Sequence, residues 1–192
     1  MHELILKNIS RYVQLTSKET DYFIALLKER KLRKKQFLLH EGDICHHEYF
    51  VTRGCFRTYH IDTRGMEHIV QFSVEDWWTG DMYSFLTQKP AKYSIDALED
   101  STVLSIEKKA LDELYVQVPK FEKFFRHLLQ NAFVAWQERA ASNISETGEV
   151  RYRNFRQRYP KLEDRISQRM IASFLGITPE SLSRIRRQFA DK

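Results

Sequence analysis

The chain has 192 residues, 42% of them hydrophobic and 30% charged, which suits one large or two small packed domains and excludes a disordered chain. No apolar run approaches the ~18 residues a membrane-spanning helix needs, and the opening MHELILKNISRYVQ lacks a signal-peptide core and cleavage site, so a cytoplasmic protein is expected. The net charge of +5 is unevenly spread: residues 1–144 hold 20 Lys/Arg against 20 Asp/Glu, residues 145–192 hold 11 against 6, and 11 − 6 = +5 is the whole excess. A basic C-terminal segment behind a neutral body points to an anionic partner. Nucleic acid fits better than membrane lipid, because the same helices also need their apolar residues for a core.

In chain order, Thr16-Ser17-Lys18-Glu19 has the form of a capping box, followed by Phe23, Ile24, Leu26 and Leu27 at helical spacing. From about Lys31 to Ser105 the runs shorten and alternate (QFLLH, EYFVTR, CFRTYHI, EHIVQFSV, KYSIDAL, TVLSI), broken by EGD, TRG, EDWWTGD and TQKP. Short strands at that spacing predict an antiparallel β barrel or jelly roll. Its two cysteines, Cys45 and Cys55, cannot supply an iron–sulfur cluster, and in a reducing compartment no disulfide is expected.

Helical periodicity returns near Lys108 and is longest from Pro119 to about Asn143. There Phe121, Phe125, Leu128, Ala132 and Ala135 follow a 4, 3, 4, 3 rhythm, widened by Phe124, Leu129, Phe133 and Trp136. One side can pack on the barrel and the other on a second copy. SNISETG at 142–148 is small and polar, a hinge; helices are then predicted at Glu149–Tyr159, Ser167–Leu175 and Pro179–Phe189. The expected organisation is α+β: a β domain at 1–118, a dimerisation helix and hinge at 119–144, and a helix-turn-helix domain at 145–192.

The last two helices carry the sharpest signal. Ala172 precedes Gly176 by four, Ile171 and Leu175 flank them, and Ile177, Leu182 and Ile185 follow. That is what a helix-turn-helix requires: a small residue at the crossing, a turn glycine, and apolar residues to seat the second helix. In ITPESLSRIRR, Thr178 is an N-cap and Pro179 suits the first helical turn. On a helical wheel Leu182, Ile185 and Phe189 cluster; with Glu180 at zero, Arg184 falls near ~40°, Arg187 near ~340° and Ser183 near ~300°. Arg186, near ~240°, lies off that face. Arginine can pair with guanine and a carboxylate with the cytosine amino group, so such a face can read bases. A plain Glu180–Arg184 surface ion pair is the competing reading.

Over nearly its whole length the sequence resembles the Crp/Fnr family of bacterial transcription regulators, and IASFLGITPESLSRIRR is especially similar to branches found in Bacteroidetes-type bacteria. The resemblance implies a homodimer with a cyclic-nucleotide-binding-like barrel, a long dimerisation helix and a winged helix-turn-helix. Glu180, Ser183 and Arg184 match the Fnr-like reading triad, which implies double-stranded DNA with TTGA-like half-sites in a near-palindrome. Thr178, Ser181 and Arg187 complete the expected DNA-binding set. Pro179 stands where the Crp branch has a DNA contact, so that contact does not carry over. With the sequence ending at Lys192, any wing is expected near residues 155–167.

Nucleotide-binding members carry a Gly-Glu-Leu turn and, later, Arg-Ser or Arg-Thr. Here the corresponding candidates are Gly80, Asp81 and Met82, with Tyr93 and Ser94. Asp is shorter than Glu, and Tyr93 supplies no charge for a phosphate. An unidentified or vestigial small-molecule pocket is expected, against the alternative of a cyclic-nucleotide-responsive regulator. His40, His46, His47, His60 and His68 raise the further alternative of a metal-dependent barrel enzyme. No H-x-H-with-Glu spacing or nucleophile–base pair supports it, and neither metal, cofactor nor enzymatic activity is expected.

Overall fold

The computed structural model describes residues 2–190. They divide into two compact units, and the division does not follow chain order. Residues up to His60, with Gln71–Gln130, form the first; Ile61–Val70 and the chain from Asn131 onward form the second.

The first unit opens with helices α1 (Glu3–Ser10) and α2 (Ser17–Leu26). The capping box forms as expected: Thr16 Oγ1 accepts from the Glu19 N–H at 3.3 Å, and Glu19 Oε2 accepts from the Thr16 N–H at 2.7 Å. Eight strands follow: β1 (Lys28–Leu32), β2 (Phe37–Leu39), β3 (His47–Arg53), β4 (Phe56–Ile61), β5 (Glu67–Ser73), β6 (Trp78–Thr79), β7 (Ser94–Ala97) and β8 (Ser101–Glu107). They make two four-stranded sheets, in the orders β1-β8-β3-β6 and β2-β7-β4-β5. A short helix, α3 (Met82–Thr87), sits between β6 and β7.

Phe50, Val103 and Leu104 of one sheet join Phe56, Ile95 and Leu38 of the other in one apolar cluster. Helix α4 (Lys108–Gln117) and the first turns of α5 (Lys120–Ser145) close it with Leu111, Leu114, Phe121, Phe124 and Phe125. Trp78 lies against Phe125 at 5.2 Å between ring centroids, and its Nε1 donates to Asn8 Oδ1 at 3.2 Å. Each buried aromatic ring of this kind is worth about 1.5–3 kcal/mol of transfer free energy. Cys45 and Cys55 are free thiols, both buried.

The second unit holds the tip of the β4–β5 hairpin, the later turns of α5, and three helices: α6 (Gly148–Arg158), α7 (Gln168–Leu175) and α8 (Pro179–Ala190). Only Glu146 and Thr147 separate α5 from α6, within the predicted hinge, and Thr147 caps α6 by accepting from the Val150 N–H at 3.4 Å. Among the described residues, Ile69, Tyr152, Phe155, Tyr159, Leu162, Ile171, Ala172, Leu175, Leu182 and Ile185 are its buried residues.

The expected wing is corrected. Among the described residues no strand lies between 145 and 190, and the segment offered for it forms a 3-10 turn at Leu162–Asp164. Within it Tyr159 and Leu162 are buried, and Lys161 between them takes a left-handed conformation (φ 66°), so the chain turns there instead of extending as a strand.

Candidate nucleic-acid interface

Helix α7 begins at Ser167, whose Oγ accepts from the Met170 N–H at 3.3 Å, and ends at Gly176. Gly176 has φ 63°, a conformation costly for any residue with a Cβ. The turn is closed by Gly176 N–H to Ser173 O at 3.2 Å and Ile177 N–H to Ala172 O at 3.0 Å. Ala172 is buried where the helices meet, so the small residue and the turn glycine occupy the places their spacing predicts.

Helix α8 starts with Thr178, whose Oγ1 accepts from the Ser181 N–H at 3.2 Å, so both residues belong to the cap. Leu182 and Ile185 are buried, and Phe189 meets Tyr152 edge-on at 5.4 Å. Glu180, Arg184 and Arg187 are exposed and Ser183 is half-buried, all on the opposite side. The Glu180 carboxyl is held below its ordinary range by its own backbone N–H, then by Thr178, with the charge of Arg169 adding to both. Arg184 is not among those causes, and its side chain is exposed. Arg169, exposed at the start of α7, is the neighbour that the linear pattern does not reveal.

Arg186 has a different task. Its Nε lies 3.8 Å from Glu163 Oε1, which also accepts from the Tyr152 hydroxyl at 2.5 Å, while Arg156 meets the other oxygen at 3.1 Å. Burial, then Glu163, pushes the Tyr152 hydroxyl up to about 12, so it stays a donor. Of the three arginines in RIRR, one ties α8 to Glu163 in the 3-10 turn and two are exposed.

In the first unit the effector-pocket candidates are used internally. Asp81 is 2% exposed; its Oδ1 accepts from the Ser84 N–H at 2.9 Å, capping α3, and its Oδ2 accepts from the Lys92 N–H at 2.9 Å. Ser94 Oγ accepts from the Glu41 N–H at 3.0 Å, Tyr93 is half-buried, and Met82 packs against the apolar cluster. Asp81 thus meets the backbone beside Tyr93, while Ser94 is bonded elsewhere. The buried cation near them, Arg57, is paired with Asp96 at 2.7 Å, and Lys92 Nζ lies 4.5 Å above the Tyr83 ring. Gly80 sits where a Cβ would come within 2.6 Å of Glu48 Oε1. Glu48 itself is buried, with Oε1 lacking any hydrogen-bond partner, and burial followed by the Asp81 charge pushes its carboxyl up to about 8. Nothing in the run HEYFVTR marks it in advance.

The histidines have other neighbours: His40 stacks on Phe37 at 3.9 Å, His68 bonds Asp62 at 2.9 Å and His60 lies 3.7 Å from Glu41. Among the described residues no group of three or more His, Cys, Asp and Glu is placed to hold a metal ion, and no helix is long and apolar enough to cross a membrane.

The cyclic nucleotide-binding domain family matches residues 29–117. The chain is 27% identical to the fumarate and nitrate reduction regulatory protein of Vibrio cholerae, over 91% of this chain and 74% of that one. It is 25% identical to the transcriptional activator protein Anr of Pseudomonas aeruginosa, over 92% and 77%. Its fold is similar to that of FixK2 from Bradyrhizobium japonicum, with a TM-score of 0.73 at 20% identity over 86% of this chain and 85% of that one. The c-di-GMP responsive global regulator CLP of Xanthomonas campestris gives the same TM-score, 0.73, at 14% identity over 92% of each chain. A cyclic nucleotide-binding domain match followed by a helix-turn-helix, with named transcription regulators aligned along most of the chain, makes this chain similar to regulators of the Crp/Fnr type.

Proposed function

We propose that the protein is a homodimeric, sequence-specific regulator that reads DNA through Glu180, Ser183 and Arg184, with Arg187 on phosphate and Thr178 and Ser181 shaping the start of the reading helix. The observation that carries this is the uncovered face of α8, which keeps three charged side chains exposed while Leu182 and Ile185 are buried behind them. The Fnr-like triad favours TTGA-like half-sites, and two copies favour a near-palindrome.

Dimerisation is supported by the later half of α5. Phe133 is 64% exposed and Trp136 53%, and with Leu129 they carry a 4, 3 rhythm onto the surface, where Ile144, 89% exposed, lies two turns further on. A stripe of this kind suits a second copy of itself. Trp136→Glu is therefore expected to shift the protein to monomers in analytical ultracentrifugation, and to weaken binding to paired half-sites far more than to a single one. A dimer of unchanged mass in that variant removes this stripe as the interface, and a monomeric wild type sinks the dimer assignment.

The small-molecule pocket reads as vestigial or as one for an unidentified effector. Both carboxylate oxygens of Asp81 already accept from the protein's own backbone, and the cations nearby are engaged. A signal would act by turning the helix-turn-helix about the two-residue break after α5. Selection of bound duplexes from a random pool tests the function directly. Two inverted TTGA-like half-sites, with centres about 34 Å apart, are expected; a pool that stays random overturns the reading.

A further inference from the structure

A two-residue break between α5 and α6 does not by itself fix the direction of the helix-turn-helix. The contacts that α6 makes back across it are solvent-exposed: Arg151 to Asn143 at 3.3 Å and Asn154 to Glu146 at 3.3 Å. Exposed pairs of this kind constrain little.

One contact in the same unit differs in kind. Arg139, on α5, donates to the carbonyls of Val70, Ile69 (3.1 Å) and Phe174 (3.0 Å), and its guanidinium lies 4.0 Å above the Phe174 ring. Burial lowers its pKa, as expected of a guanidinium that has exchanged water for carbonyl acceptors. Beside it, Ser173 Oγ donates to Glu67 O at 2.8 Å and accepts from the Ile69 N–H at 3.0 Å.

Strand β5 is an edge strand, and edge strands leave a row of backbone donors and acceptors without a neighbouring strand. Ser173 and Arg139 meet such groups at Glu67, Ile69 and Val70. The hairpin tip, α5 and the end of α7 are thereby tied at one point. Glu180, Arg184 and Arg187 remain exposed while the tie is made, so it does not cover the reading face.

We propose that Arg139 and Ser173 are positioning residues for DNA binding. By holding α7 at one angle to α5 they set the separation of the two reading helices in the dimer, and hence the half-site spacing the protein accepts. This rests on the dimeric DNA-binding reading above. A pre-set geometry favours one spacing because departures from it must be met by reorientation, and each added base pair moves a half-site by about 3.4 Å along the duplex and turns it by roughly a tenth of a turn.

The test uses the full chain and duplexes carrying two half-sites at the selected spacing and at one or two base pairs more or less. Wild type is expected to lose about tenfold or more off its preferred spacing, and Ser173→Ala and Arg139→Lys to lose less than about threefold. Base discrimination within a half-site is expected to stay as in wild type, and Ser173→Thr, which keeps the hydroxyl, to restore the spacing preference. Hydrogen exchange at the Ile69 amide is expected to quicken in Ser173→Ala. Variants that keep the wild-type spacing profile overturn the proposal, as does a loss of base discrimination in parallel with spacing, which marks general loosening of the fold. A wild type indifferent to paired half-sites removes the dimeric reading and this inference with it, whereas a sharp wild-type preference unchanged in the variants removes the inference alone.

Discussion

Glu48→Gln is expected to stabilise the protein by up to about 3 kcal/mol at pH 7, and to do so only above the pH where a free glutamate ionises. The carboxyl is buried and Oε1 has no partner; burial and then Asp81 raise its pKa from an ordinary 4.5 to about 8. Cys45, from the loop before β3, Tyr49, on β3, and Tyr115, from α4, are the other titratable groups that feel it. All three are raised by burial foremost, and none of them can carry a positive charge. Between pH 4.5 and 8 the folded chain holds a proton at Glu48 that the unfolded chain releases. Stability therefore falls as pH rises through that window, is full below it, and levels off above it. Glutamine has nothing to release. Chemical denaturation of both proteins from pH 4 to 9 should give curves that meet at the acid end and diverge toward pH 8. Parallel curves would show Glu48 to be paired or solvated. Gly80 takes part in this arrangement, since a side chain there would collide with the carboxyl.

For Arg184→Ala, the expected result is a loss of about 1–3 kcal/mol in specific affinity, about five- to 150-fold, concentrated at one base pair. Arg184 is exposed on the reading side of α8, while the backbone N–H of Glu180, then Thr178 and Arg169, hold the Glu180 carboxylate below its ordinary range. Arg187→Ala should behave differently, weakening all duplexes alike and flattening the logarithmic salt dependence by about one unit. Binding isotherms on the selected site and its single-base variants, at several salt concentrations, separate the two. Unchanged discrimination in Arg184→Ala would remove that residue from base reading, and Arg186→Ala serves as contrast because its guanidinium is directed to Glu163.

What the linear pattern reveals here is mostly local. The Thr16–Glu19 capping box, the Thr178 cap and the Ala172–Gly176 turn depend on residues three or four apart, and the structure places each where its spacing predicts. The break near Ser142–Gly148 is local too. Ser173 and Ile69, by contrast, lie 104 positions apart, and a serine on a helix is silent about a strand that distant. The hairpin tip's place in the C-terminal unit was therefore invisible, as was the burial of Glu48, whose setting depends on Gly80 and Asp81 arriving from elsewhere. The wing failed for another reason: it came from resemblance, and Tyr159, Lys161 and Leu162 dictate a tight turn instead.

Helix α5 has two unlike halves. Phe121, Phe124 and Phe125 bury its first turns, while Phe133, Trp136 and Ile144 leave its later turns largely bare. Arg139 ties these turns to the hairpin tip and α7, but their apolar stripe has no cover within the chain, so in the proposed dimer burial of that stripe and association are a single equilibrium. Mass action follows. Below the dimer dissociation constant, operator occupancy should rise with the square of protein concentration, and a modest change in synthesis would then act as a signal without any ligand.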